Sequence, residues 1–161
     1  MLEIQRATQD DFEAIWPIFH EVVKIGETYA FDPATSKDEA YHLWMELPLV
    51  TYVAKKERVL GTYYLKANQA RLGAHVCNAG YMVSVAARGQ GLGRAMCLHS
   101  QAEALELGFK AMQFNLVVST NNGAVRLWQD LGFDVIGTLP KAFQHQRLGL
   151  VDALVMYKWL E

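Results

Sequence analysis

Apolar and polar positions along this chain change rhythm in a fixed order. Leu2-Glu3-Ile4-Gln5-Arg6-Ala7 alternates and predicts a first strand. Phe12, Ile15, Trp16, Phe19, Val22 and Val23 recur at helical spacing, behind Thr8 or Asp10 as cap. Pro17 falls inside that stripe and either kinks the helix or marks its true start. Ile25 to Pro33 has no periodicity and predicts a loop. Ser36-Lys37-Asp38-Glu39 has the pattern of a capping box for a second helix through Trp44 and Leu47, ended by Pro48.

Val50 to Ala54 and Val59 to Leu65 predict an antiparallel hairpin around Lys56-Glu57-Arg58, and Val76 to Val85 another strand. A helical run from Arg94 to Leu107, closed by Gly108, separates it from a strand over Ala111 to Val118. A strand, a crossover helix and a strand pair in parallel. Asn122 to Leu131 predicts a helix stopped by Gly132, and Val135 to Leu139 and Val151 to Trp159 the last strands. The fold class is therefore α/β in a mixed sheet, mostly antiparallel with one parallel pair, flanked by helices.

Composition narrows the function. The 161 residues suit one domain, 1–161, with a sizeable core, and 52% of them are hydrophobic. A net charge of −2 without a cationic run argues against a nucleic-acid or membrane-surface partner. No apolar stretch approaches a membrane span and the N-terminus lacks a signal-type apolar core, so cytoplasm is the expected location. Cys77 and Cys97 make no disulfide framework, and the five histidines have no metal-ligand spacing, so no metal is expected. His75 and His145 are expected at the surface.

The chemistry concentrates at Arg88-Gly89-Gln90-Gly91-Leu92-Gly93, between a strand and a helix start. Glycines let backbone approach an anion, and a helix N-terminus offers unpaired N–H groups and positive dipole. A phosphate-bearing cofactor is implied, with a plain structural turn as the alternative. The string is not the G-x-x-x-x-G-K-S/T loop of nucleotide triphosphatases. Nor does Gly89, Gly91, Gly93 match the G-x-G-x-x-G of dinucleotide folds, which follows an early strand.

What remains is R-x-x-G-x-G, Arg88, Gly91 and Gly93, which resembles motif A of the GCN5-related N-acetyltransferases. Downstream, Asn121-Asn122-Gly123-Ala124-Val125-Arg126-Leu127-Trp128-Gln129-Asp130-Leu131-Gly132-Phe133 is similar to that family's N-x-x-A-x-x-L-Y-x-x-x-G-F. The resemblance implies that family's fold, homodimers as a common assembly, and acetyl-coenzyme A as co-substrate. By the same resemblance, Arg88, Gly89, Gln90, Gly91, Leu92, Gly93 and Arg94 cradle pyrophosphate. Met82 and Val83 offer backbone groups to the pantetheine arm and the acetyl carbonyl, Val83 as the oxyanion donor. Asn121 contacts the cofactor arm, caps the next helix, or does both.

Trp128 stands where the family carries a tyrosine that protonates the departing thiolate. Indole is a donor that does not titrate usefully, so solvent or one of Tyr63, Tyr64 and Tyr81 would deliver that proton. Trp128 is then a packing or hydrogen-bonding contact to the cofactor. Neither cysteine has the context of an acyl carrier, which implies direct transfer in a ternary complex. A non-catalytic acyl-coenzyme A sensor and a peptide acetyltransferase are the alternatives.

Asparagine is depleted in strands, yet Asn78 and Asn115 lie in the two strands flanking the crossover. Period-2 alternation puts Gln113 and Asn115 on one sheet face, Phe114 and Leu116 on the other. Asn78-Ala79-Gly80-Tyr81-Met82-Val83, Phe114-Asn115-Leu116-Val117, Thr120-Asn121, Arg126-Leu127-Trp128 and Val151-Asp152-Ala153 resemble fungal N-acetyltransferases acting on azetidine-2-carboxylate. That resemblance implies a small amine acceptor, including amino and imino acids, held by Asn78 and Asn115, with Leu116 beside them. Asn115 then joins Val83 as a candidate catalytic position. The alternative role of both asparagines is to tie strands together. Glu27, Thr28 and Tyr29 form an acceptor wall by position alone, and Asp152 orients either backbone or acceptor.

Overall fold

The computed structural model describes all of residues 1–161. The elements run β1 (Glu3–Arg6), α1 (Phe12–Ile25), α2 (Lys37–Tyr41), β2 (Val50–Lys55), β3 (Val59–Ala67), β4 (Val76–Val83), α3 (Leu92–Glu106), β5 (Ala111–Val118), α4 (Asn122–Asp130), β6 (Asp134–His145) and β7 (Gly149–Trp159). They build one seven-stranded sheet in the order β1-β2-β3-β4-β5-β7-β6. Every neighbouring pair is antiparallel except β4 and β5, joined through α3. Their parallel ladder covers only Val76, Cys77 and Asn78 against Ala111, Met112 and Gln113. Beyond Asn78 the two strands part, and this opening positions everything that follows.

Strand alternation sends side chains to two separate cores. Tyr63 and Leu65 of β3 and Cys77, Ala79 and Tyr81 of β4 pack with Met96, Cys97, Phe114 and Phe133 on the α3 side. Tyr64 and Met82 face the other way, onto Phe12, Ile15, Phe19 and Trp44 of the helices that precede β2. As the alternation of β5 predicts, buried Phe114 joins the first core while Asn115 faces away from it, but a bulge between Phe114 and Val117 puts Val117 in that core in place of the expected Leu116.

Local chemistry explains the departures from the predicted elements. Thr8 heads the first helical segment, its N–H donating to the Asp11 carboxylate (2.7 Å), and α1 runs through Pro17 rather than starting there. The second helix changes at His42 into a π turn over His42–Glu46, with Leu47 N–H reaching His42 C=O (2.9 Å). Pro48 has no N–H for the Trp44 carbonyl, and the Thr51 hydroxyl donates there instead (2.6 Å). β4 stops at Val83, not Val85, because the Val85 N–H donates to the Glu21 carboxylate (2.7 Å) and a 3₁₀ turn follows. α3 begins at Leu92, two residues before the predicted start, because Gly91 at φ +79° supplies its left-handed cap.

The C-terminal hairpin is longer than predicted at both strands. β6 continues through Pro140 and Lys141 by an irregularity between Leu139 and Phe143, with Lys141 at φ +52°. The Lys141 N–H donates to the Asp152 carboxylate of β7 (2.9 Å), which holds that irregularity. Asp152 thus serves the hairpin backbone.

Candidate active site

A cavity of about 780 Å³ opens where β4 and β5 separate. A smaller one of about 270 Å³ adjoins it at the glycine turn, and Val83 and Arg88 line both. Asn78, Met82, Asn115, Leu116, Asn121 and Trp128 line the larger cavity, as do Thr28 and Tyr29 from the loop after α1. Gly89, Gly91, Leu92, Gly93 and Arg94 line the smaller one. Gln90 is exposed and lines neither.

The glycine turn has the geometry of an anion cradle. Gly89 and Gly91 sit at φ +78° and +79°, and an added Cβ at either would meet nothing within 4 Å. Backbone there is bare and accessible. The first intrahelical bond runs from Ala95 N–H to Gly91 C=O (3.0 Å), so the N–H groups of Leu92, Gly93 and Arg94 have no acceptor within the helix. Gly93 lies close to α4, its Cβ position 3.3 Å from Leu127 Cδ2. Arg88 has no acidic partner, whereas the Arg94 guanidinium is 3.6 Å from Asp130.

β4 presents its backbone by alternation. The Ser84 N–H donates to Leu60 C=O (2.8 Å), so the polar groups of Met82, two residues away, also face β3. Met82 therefore brings a buried side chain to the cavity and no free backbone group, which corrects the expectation that it would supply one. The groups of Tyr81 and Val83 turn toward the opening. The Tyr29 hydroxyl accepts from the Tyr81 N–H (2.8 Å) and donates to the Tyr81 carbonyl, doing the work of the strand that has moved away. The Val83 N–H is the next donor on that side.

Tyr29→Phe orphans both Tyr81 groups, and we expect a loss of about 1–3 kcal/mol in urea unfolding. A loss within a few tenths of a kcal/mol would deny the hydroxyl that role.

Each tyrosine considered as an acid is committed. Tyr63 bonds His99 Nδ1 (2.7 Å) and Tyr81 bonds Ser100 Oγ (2.6 Å), both toward α3. Tyr64 donates to Asn78 Oδ1 (3.0 Å), and burial pushes its hydroxyl up to about 12. That is a weaker acid than the thiol it would protonate, near ~8.5. The Trp128 ring packs at 5.1 Å from both Tyr81 and Phe114. The Asn121 side chain caps α4 through the Ala124 N–H (3.4 Å).

The asparagines are strand ties in this structure. Asn78 Nδ2 donates to the Gln113 carbonyl (3.0 Å), while Asn115 accepts from Gln113 and donates to Asn68 Oδ1 (2.6 Å).

Glu27 also lines the larger cavity, and three residues of the C-terminal hairpin fix its loop. Arg147 Nε donates to its carboxylate (2.6 Å), His145 Nε2 lies at 3.9 Å, and the Gln146 N–H donates to Gly26 C=O (3.2 Å). His145 is buried, 4% exposed, contrary to the surface position expected, because its Nδ1 accepts from the Arg147 and Leu148 N–H groups. The sequence carried no signal for this cluster, since 120 residues separate Glu27 from Arg147.

The Arg147 bond holds the Glu27 carboxyl below its ordinary value of 4.5, which makes it a poor base. A depressed native pKa contributes stability above 4.5 that is lost as pH falls toward the native value. Glu27→Gln should therefore flatten the fall in melting temperature just below pH 4.5 and change little at pH 7 beyond the lost ion pair. An unaltered acid limb would contradict it.

Comparison with known proteins follows the geometry. Residues 5–133 match the family model described as Acetyltransferase (GNAT) family. The chain is 30% identical to the N-acetyltransferase aca1 of Schizosaccharomyces pombe, over 83% of this chain and 72% of that one. A GCN5-related N-acetyltransferase structure from Kribbella flavida superposes with a TM-score of 0.93 at 46% identity, covering 98% of this chain and 97% of that chain. The acetyltransferase yncA of Salmonella typhimurium, described as putative and solved with its cofactor acetyl-CoA, shares the fold at a TM-score of 0.84 and 24% identity, over 100% and 95% of the chains.

Proposed function

The chain belongs to the acetyltransferase (GNAT) family, and from that premise we propose that it transfers acetyl from acetyl-coenzyme A to the amine of a small molecule, directly and without an acyl-enzyme. The observation that carries this reading is the continuity of the bare glycine cradle with the β4–β5 opening through Val83 and Arg88. Bound there, acetyl-coenzyme A supplies an activated thioester carbonyl. The free N–H groups at the start of α3 and the Arg88 guanidinium hold its phosphates. The Val83 N–H donates to the carbonyl oxygen as negative charge grows on it. Trp128, Tyr81 and Phe114 exclude water from one side of the opening. No carboxylate in the cavity is a competent base, so the acceptor reacts as the neutral amine and its proton leaves to solvent. Solvent likewise protonates the thiolate, in keeping with tryptophan at position 128.

Direct transfer is supported by the state of the thiols. Cys77 and Cys97 are fully buried and line neither cavity. Burial raises both, Cys77 to about 12, so neither supplies a thiolate near neutral pH. Cys77→Ala and Cys97→Ala should each keep turnover within about threefold of wild type, at the cost of the stability a small cavity removes. Loss of transfer by either variant in folded form would require an acyl-cysteine.

The reading is tested by coenzyme A release across amines, amino and imino acids and basic peptides, with mass spectrometry of the products. An acetylated small amine supports it. An acetylated peptide alone moves the acceptor, and acetyl-coenzyme A binding without transfer to any amine favours a sensor.

A further inference from the structure

We propose that Lys66 is the carboxylate anchor of the acceptor subsite, so that the acceptor carries a carboxylate beside its amine; this rests on the acetyl-transfer reading above. Lys66 lies on β3 directly opposite Asn78 of β4, on the same sheet face as Tyr64, and lines the larger cavity. Its ammonium sits 5.3 Å from the centre of the Tyr64 ring. Tyr64 in turn donates to Asn78, so ring, amide and ammonium form one wall.

Charge decides what that wall can take. Glu27, Lys66 and Arg88 are the cavity's charged residues. Glu27 is paired with Arg147 at 2.6 Å. Arg88 also lines the smaller cavity at the glycine turn, where phosphates need it. Lys66 has no hydrogen bond and no acidic partner, so its end of the cavity holds an uncompensated positive charge. The amides of Asn78 and Asn115 are engaged with the strands around them and can orient a ligand but cannot neutralise one. A carboxylate entering an apolar-lined opening needs a cation, and Lys66 is the one available. A cationic peptide would meet that same charge and find no free acid to offset it.

Lys66 therefore selects amino and imino acids over neutral and cationic amines. The test compares azetidine-2-carboxylate with its carboxamide as acceptors. The carboxamide has the less basic amine and so more of it neutral near pH 7. Intrinsic reactivity thus favours the amide, and a preference for the acid must come from the site. Wild type should prefer the acid by about tenfold or more in kcat/KM. Lys66→Gln should lose about 10- to 100-fold on the acid, carried by KM, with little change on the amide, and Lys66→Arg should recover part of that loss.

Wild type that acetylates the amide as well as the acid, or a Lys66→Gln variant that keeps the acid preference, overturns the anchor and leaves acetyl transfer intact. Failure of every amine in a protein that binds acetyl-coenzyme A overturns the acetyl-transfer reading, and the anchor with it.

Discussion

Gly91→Glu should weaken acetyl-coenzyme A binding by at least about a hundredfold in titration calorimetry, while the protein stays folded. Two effects add. The carboxylate stands where the free N–H groups of α3 converge, against the phosphates those groups would hold, and a close pair of like charges in a partly dry site costs several kcal/mol. The side chain also fills the approach that a bare backbone leaves open at φ +79°. An added Cβ meets nothing of the protein within 4 Å, so the fold itself loses only the cost of a left-handed residue, roughly 1–2 kcal/mol. Gly91→Ala carries that same backbone cost without the charge or the bulk, and should keep most of the affinity. Wild-type affinity in Gly91→Glu would remove the phosphate assignment.

Trp44→Ala should lower unfolding stability by about 3–5 kcal/mol, a large part of the roughly 5–15 kcal/mol a domain of this kind possesses. Trp44 is fully buried in the π turn that ends the second helix. Its indole N–H donates to Thr62 Oγ1 (3.0 Å), which donates onward to the Tyr52 carbonyl (2.8 Å). Its ring packs edge-on against Tyr64 at 4.8 Å and against Tyr29 at 6.4 Å. Truncation empties the core beneath two cavity-lining tyrosines and removes the donor to a buried hydroxyl, which keeps its own bond to Tyr52. Acceptor KM should rise along with the loss of stability, whereas Trp44→Phe keeps most of the packing and should lose less. A urea-derived loss below about 1 kcal/mol would show that the ring is not what supports that wall.

The parts of the molecule legible in the sequence are those set by local chemistry. β5 runs over Ala111–Val118 as predicted, and the alternation holds through Met112, Phe114 and Asn115, until the bulge between Phe114 and Val117 breaks it. Gly108 and Gly132 close their helices at φ +91° and +97°, which only glycine adopts readily. The glycine turn was legible for the same reason. What escaped was settled by distant partners. β6 extends past Pro140 only because Asp152 on another strand receives the Lys141 N–H. His145 is buried because the turn after it folds back onto its ring nitrogen. The face of Asn115 could be read from alternation, but the Tyr64, Gln113 and Asn68 groups that occupy Asn78 and Asn115 could not. Lys66 lies one residue past the predicted strand, and the register that sets it opposite Asn78 has no signal in the sequence.

The most direct measurement uses acetyl-coenzyme A labelled isotopically in the acetyl group, mixed with the protein and an imino acid and read by mass spectrometry of both small molecules and intact chain. Direct transfer predicts the label on the acceptor nitrogen, one coenzyme A released per acetylated product, and no labelled protein at any time. Label on the chain before it reaches the acceptor, or coenzyme A retained in its acetylated form with every amine, would contradict it.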